Sequence, residues 1–188
     1  MNHHEPGKLE IWITVLAGNL LGRSTYERYV DGLDLCGDER VLDFGSGAGT
    51  PAWLLARPLH PNGGRVTCVD ISEGWLRTAR KRLARFPNVE FKLGEISKVG
   101  IPDASHDAIL SHFVIHDIPA GERPNVVRHL VQKLVAGGKF FVREPLNVIS
   151  EDEIRHTMRQ NGLVEVGSSV SQVPLMGPTF EATFCKEE

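Results

Sequence analysis

The sequence predicts an α/β protein: a seven-stranded, mostly parallel sheet flanked by helices, with the last strand antiparallel and a short helical cap at the N-terminus. Three observations carry that expectation. At residues 41–50, VLDFGSGAGT, a hydrophobic strand runs into glycines at alternate positions and then into a helix. From Arg40 onward strand-like and helix-like patterns alternate, as they do when a parallel sheet is covered on both faces. Two strand-like runs then close the chain around Pro174-Leu175-Met176-Gly177-Pro178, and a hairpin requires at least one antiparallel strand.

Apolar residues at Leu9, Trp12, Ile13, Leu16 and Leu20 have helical spacing, and Gly22 ends that run. A second helix starts at Ser24, with Glu27 three residues on as a capping box, and breaks at Asp31-Gly32. These two precede the first strand and form the cap, residues 1–35; residues 36–188 form one structural unit. Strands follow at residues 40–44, 65–70, 89–93, 108–113 and 139–143, then at 163–173 and 179–185. Helices are expected at 51–57, at 72–86 with Ser72 as cap, and at 123–135 with Gly137-Gly138 as its stop. The last opens on a second capping box, Ser150 to Glu153, and ends at Asn161-Gly162.

At 188 residues the chain can bury a substantial core. Its net charge of −3 leaves no global footprint for nucleic acid or an anionic membrane. Cys36, Cys68 and Cys185 are odd in number and widely spaced, which argues against a disulfide framework or a zinc site and for a reducing compartment. The apolar run at residues 11–18 follows Glu5 and Glu10 as well as Lys8, whereas a secretory leader wants a positive start. No run approaches the ~18 apolar residues of a membrane span. The expectation is a cytoplasmic protein.

Gly45, Gly47 and Gly49 permit positive φ and close approach of a ligand to the backbone, and the helix opened by Thr50 and Pro51 offers unpaired N–H groups. A tight strand-to-helix turn is the plainer alternative. The dinucleotide fingerprint G-x-G-x-x-G fails here, because Thr50 stands where its third glycine belongs.

With Asp43 before the first glycine, the stretch resembles motif I of class I, Rossmann-like S-adenosylmethionine-dependent methyltransferases. Within that family the pattern is most similar to the small-molecule, ubiquinone/menaquinone-biosynthesis-like branch, over residues 41–185. The resemblance implies S-adenosylmethionine as cofactor and S-adenosylhomocysteine as product. It implies that Gly45, Ser46, Gly47 and Gly49 form the cofactor loop, that Asp43 helps hold the methionine amino group, and that Asp70 accepts both ribose hydroxyls with Ile71 on the adenine. Glu95 then lies near the adenine amino group, with Ile96 beside the ring.

After strand 4, Ser111 and His112 are expected in the cofactor wall. His116 is either a base for an acceptor that must lose a proton or a cofactor-contacting residue. The pair His112 and His116 has no evident third partner, so no metal site is expected. Glu144, after strand 5, either anchors an amine or hydroxyl of the acceptor or pairs with Arg143. The basic run Arg77, Arg80, Lys81, Arg82 and Arg85 reads as a solvated outer helix face. The segments outside the common core are short and rather apolar, which suits a small, partly apolar acceptor. Two rivals stand beside methyl transfer: a non-catalytic S-adenosylmethionine-binding subunit and an NAD(P)-dependent oxidoreductase.

Overall fold

A computed structural model describes Gly7, residues 23–174 and residues 176–187. The helix expected over residues 9–21 lies outside the described residues, as does the Ser24 side chain. The strand order is β3-β2-β1-β4-β5-β7-β6 in a seven-stranded sheet. By packing the chain divides into two compact units, Met1–Glu95 and Ile96–Glu188.

The first unit contains α1 (Arg23–Asp31), β1 (Arg40–Phe44), α2 (Thr50–Leu59), β2 (Arg65–Asp70), α3 (Glu73–Leu83) and β3 (Val89–Leu93). β2 pairs in parallel with both β1 and β3. Burial explains the strand sequences: Val66, Cys68 and Val69 of β2 are fully enclosed, a continuous apolar run typical of a strand covered on both faces. α2 contributes Ala52, Leu55 and Leu59 to this core, and α3 contributes Leu76, Ala79 and Leu83. Ser72 caps α3 by accepting the Trp75 N–H at 3.2 Å.

The second unit contains β4 (His106–His112), α4 (Arg123–Lys133), β5 (Leu134–Pro145), α5 (Glu151–Arg159), β6 (Leu163–Val173) and β7 (Gly177–Lys186). β4 and β5 are parallel, while β7 runs antiparallel to β5 on one side and β6 on the other. Ser150 caps α5 through the Glu153 N–H at 3.2 Å, which is the main half of the expected capping box.

One expectation is corrected. α4 stops at Lys133, and Gly137-Gly138 lies inside β5 instead of ending the helix. Other partners take the helix's last carbonyls: Ala104 N–H donates to Gln132, Ser105 N–H to Lys133, and Lys186 Nζ to Val131 and Leu134. The glycine pair instead adjoins an irregularity in the β4–β5 register, and a Cβ on Gly138 would lie 2.9 Å from the Val135 carbonyl.

Gly64 gives a test of this packing, because a Cβ there would sit 2.6 Å from the Gly37 carbonyl and 3.0 Å from that of Glu39. Gly64→Ala is expected to destabilise by about 1–3 kcal/mol, seen as a lower thermal midpoint. Gly121→Ala, whose Cβ would meet nothing within 4 Å, serves as the neutral control.

Candidate functional site

All three loop glycines of the first unit adopt left-handed backbone, with φ of 67° at Gly45, 51° at Gly47 and 74° at Gly49. A side chain at such a φ costs roughly 1–2 kcal/mol per residue, so the alternate glycines are a conformational requirement. Gly49 has a second reason, since its Cβ would approach Leu83 Cδ1 to 2.8 Å, whereas a Cβ on Gly47 would meet nothing closer than 4.0 Å. The loop therefore packs on α3 at Gly49 and is open at Gly47.

β2 supplies the anchors. The Val69 carbonyl accepts from Gly45 N–H at 2.8 Å and Ser46 N–H at 3.1 Å. Asp70 Oδ2 accepts from Gly47 N–H at 2.8 Å, and Oδ1 accepts from Ser72 N–H at 2.9 Å. Ile71 is 43% exposed, an unusual state for an isoleucine between a buried aspartate and a helix cap. Gly94 N–H donates to the Asp70 carbonyl at 2.9 Å, which carries the chain from β3 to the half-buried Glu95.

Asp43 is buried at the end of β1, and its Oδ2 has no hydrogen-bond partner among the described residues. Burial, and then the Asp70 charge, push its carboxyl from 3.8 up to about 7, against the opposing hydrogen bond from the Ala52 N–H. These two carboxylates give the loop a negative lining.

Arg82 was expected in solvent and is not. Its Nη1 donates to the Ala48 carbonyl at 2.6 Å and to Thr50 Oγ1 at 3.1 Å. Arg77, Arg80, Lys81 and Arg85 are exposed, as expected of an outer helix face, with Arg85 lying over Trp53 and Phe86 and Arg80 over Phe91. The signal for Arg82 was its helical spacing: it lies three residues after the buried Ala79, on the apolar face of α3.

In the second unit Glu144 is fully buried. Its Oε1 accepts from Val114 N–H at 2.9 Å and Ile115 N–H at 2.6 Å, and its Oε2 lies 2.6 Å from His116 Nδ1. Of the two expected roles, these partners replace the pair with Arg143. Successive strand residues point to opposite faces, and Arg143 instead pairs through Nε with Glu181 at 2.9 Å. The hydrogen bond to Glu144 holds the His116 pKa above its ordinary 6.5, outweighing partial burial. The other ring nitrogen, Nε2, is 3.4 Å from the exposed Asp117 carboxylate. Arg123, which the sequence reading passed over, fixes this turn by donating to the carbonyls of His116 and Ile118 at 3.0 and 2.8 Å, and it pairs with Glu153.

His112 has a different environment. Burial, then the neighbouring Arg143 charge, push its pKa down to about 3. Arg143 Nη1 lies 3.2 Å from His112 Nε2, and since a guanidinium only donates, that nitrogen is the unprotonated one. Ser111 Oγ is buried without a hydrogen-bond partner among the described residues, and Ile96 is buried as well. No group of three or more His, Cys, Asp or Glu side chains suited to a metal ion occurs among the described residues.

Because folding raises the Asp43 pKa, the folded chain loses stability as pH rises from about 4 to about 7, and the loss is complete above that. Asp43→Asn is therefore expected to raise the thermal midpoint of the ligand-free protein at pH 8 by about 2–8 °C. The gain should shrink as the measurement moves toward pH 5.

A model of the methyltransferase domain family matches residues 41–138. An arsenite methyltransferase of Halobacterium salinarum is 34% identical over 108 residues, 56% of this chain and 27% of that protein. A demethylmenaquinone methyltransferase of Clavibacter sepedonicus is 32% identical over 106 residues, 56% of this chain and 41% of its own. This chain thus spans less than half the length of either relative. The crystal structure of a SAM-dependent methyltransferase from Aquifex aeolicus shares the fold, with a TM-score of 0.73 at 22% identity over 85% of this chain and 88% of that one. Since the family model covers more than half of the sequence, the chain belongs to the methyltransferase domain family.

Proposed function

We propose that this protein transfers a methyl group from S-adenosylmethionine to a small, partly apolar acceptor in the cytoplasm. In this reading residues 36–188 are the working unit and residues 1–35 a cap. The observation that carries it is the Asp43 carboxylate, buried beside a left-handed glycine loop with one oxygen unpartnered among the described residues. An ammonium group answers that oxygen, and a nicotinamide dinucleotide has none to offer. Among the described residues no helix is long and apolar enough to cross a membrane.

The residues present fit the cofactor. Asp43 takes its amino group, and Gly45, Ser46, Gly47 and Gly49 take its aminoacyl arm along the open backbone. Asp70 takes the ribose hydroxyls, because each carboxylate oxygen can accept a second bond besides the amide it already holds. Ile71 supplies an apolar face for the adenine, with Glu95 at its edge. When bound, S-adenosylmethionine supplies an electrophilic methyl carbon.

His116 receives the proton of an acidic acceptor. Glu144 orients the ring through Nδ1 and stabilises the imidazolium that forms, which raises basicity without itself taking a proton. The dyad weighs against a purely binding subunit. It also favours a hydroxyl or carbon acid over the arsenite in one relative's name; another relative is named a demethylmenaquinone methyltransferase. Cys68 is buried in β2 and Cys185 gives its thiol to the Gly137 carbonyl, which leaves Cys36 as the one exposed cysteine.

Asp70→Ala is expected to weaken S-adenosylhomocysteine binding at least tenfold by calorimetry; unchanged affinity removes this site. Wild-type affinity should fall on acidification below about pH 7, as Asp43 protonates.

His116→Ala is expected to lower turnover about 10²–10⁴-fold while leaving S-adenosylhomocysteine affinity within about threefold. A screen of small phenols and quinols with radiolabelled cofactor supplies the assay. The acid limb of the wild-type rate profile should lie above pH 6.5, since only neutral His116 accepts a proton, and Glu144→Gln should move it downward.

A further inference from the structure

We infer that Arg82 is a positioning residue for the cofactor, fixing the glycine loop in the conformation that receives the aminoacyl arm. The inference rests on the proposed placement of that arm along the loop.

A segment with left-handed glycines at positions 45, 47 and 49 has little local preference of its own, because glycine populates both signs of φ at similar cost. The peptide joining Ala48 to Gly49 is one such link, adjoining the left-handed Gly49. Turning it over would take the Gly49 N–H from the Ser46 carbonyl, where it now donates at 2.8 Å, and would disturb the N-terminus of α2. Arg82 Nη1 holds the carbonyl of this same peptide at 2.6 Å, and it reaches the first residue of α2 at Thr50 Oγ1.

The placement is poor for stability alone. The backbone of Arg82 is in the last turn of α3, where a cation is favoured, but its guanidinium is delivered to the start of α2, where a cation is disfavoured. Burial also lowers its pKa, which marks a desolvation cost, with Tyr26 of α1 as an electrostatic neighbour that opposes the shift. The guanidinium is thus held at the loop carbonyl and at Thr50, and a methylene-rich side chain would fill the same space without that cost.

The test compares two ligands on each preparation of the full chain: S-adenosylhomocysteine, which carries the aminoacyl arm, and adenosine, which does not. Arg82→Met keeps the apolar stem and removes the donors; Arg82→Lys keeps one donor. Arg82→Met is expected to weaken S-adenosylhomocysteine at least tenfold and adenosine less than twofold, with Arg82→Lys in between. The ratio of the two affinities does not depend on the folded fraction, so partial unfolding cannot imitate the result. Equal losses for both ligands, or no loss for S-adenosylhomocysteine, overturn the inference. Asp70→Ala, measured alongside, should weaken both ligands; unchanged binding of both would remove the cofactor site itself and the inference with it.

Discussion

The Asp70 carboxylate joins the parts on which the N-terminal unit's chemistry depends. One oxygen fixes the amide of Gly47 and the other the amide of Ser72, so a single side chain sets the glycine loop and the entry to α3. The register makes this possible. β1 and β2 run level, with Phe44 opposite Val69, so Gly45 begins its turn where Asp70 ends its strand. Moving the acid by one residue would send it to the opposite face of the sheet, and the loop would lose its central anchor.

The buried ionisable groups of the two units are answered differently. In the first, burial and then the Asp70 charge make the Asp43 carboxyl hold its proton to about neutral pH. In the second, Glu144 is balanced by two backbone amides and His116, and Arg143 by Glu181 and a neutral His112. The two histidines diverge. His116 bonds to a carboxylate and becomes more basic, while His112 loses its basicity to burial first and to the neighbouring guanidinium second.

The strand frame was legible because it is local. The strands at 40–44, 65–70 and 89–93 were marked by apolar runs between turn residues, and each was found at those bounds. The left-handed loop was legible for the same reason, since only glycine answers that geometry cheaply. What failed was long-range. Gly137-Gly138 looked like a helix stop, yet Lys186, about fifty residues away, takes the carbonyls that a capping glycine would have released. Arg143 and Glu144, adjacent in sequence, invited a pairing that strand geometry forbids. Arg82 sat in a run of charges whose composition concealed one position on the apolar face of α3.

The sheet also imposes an order on assembly. β7 comes last in the chain but lies between β5 and β6. Until it inserts, β6 has no ladder partner, β5 keeps an open edge, and the carbonyls of Val131 and Leu134 lack the lysine that receives them. β6 carries Val164, Val166 and Val170, all largely exposed even in the finished fold. A nascent chain paused before β7 would therefore present an unpaired valine-bearing strand next to an open edge, a template for pairing between molecules. The short connection from Val173 to Gly177 keeps β7 beside the strand it must cover.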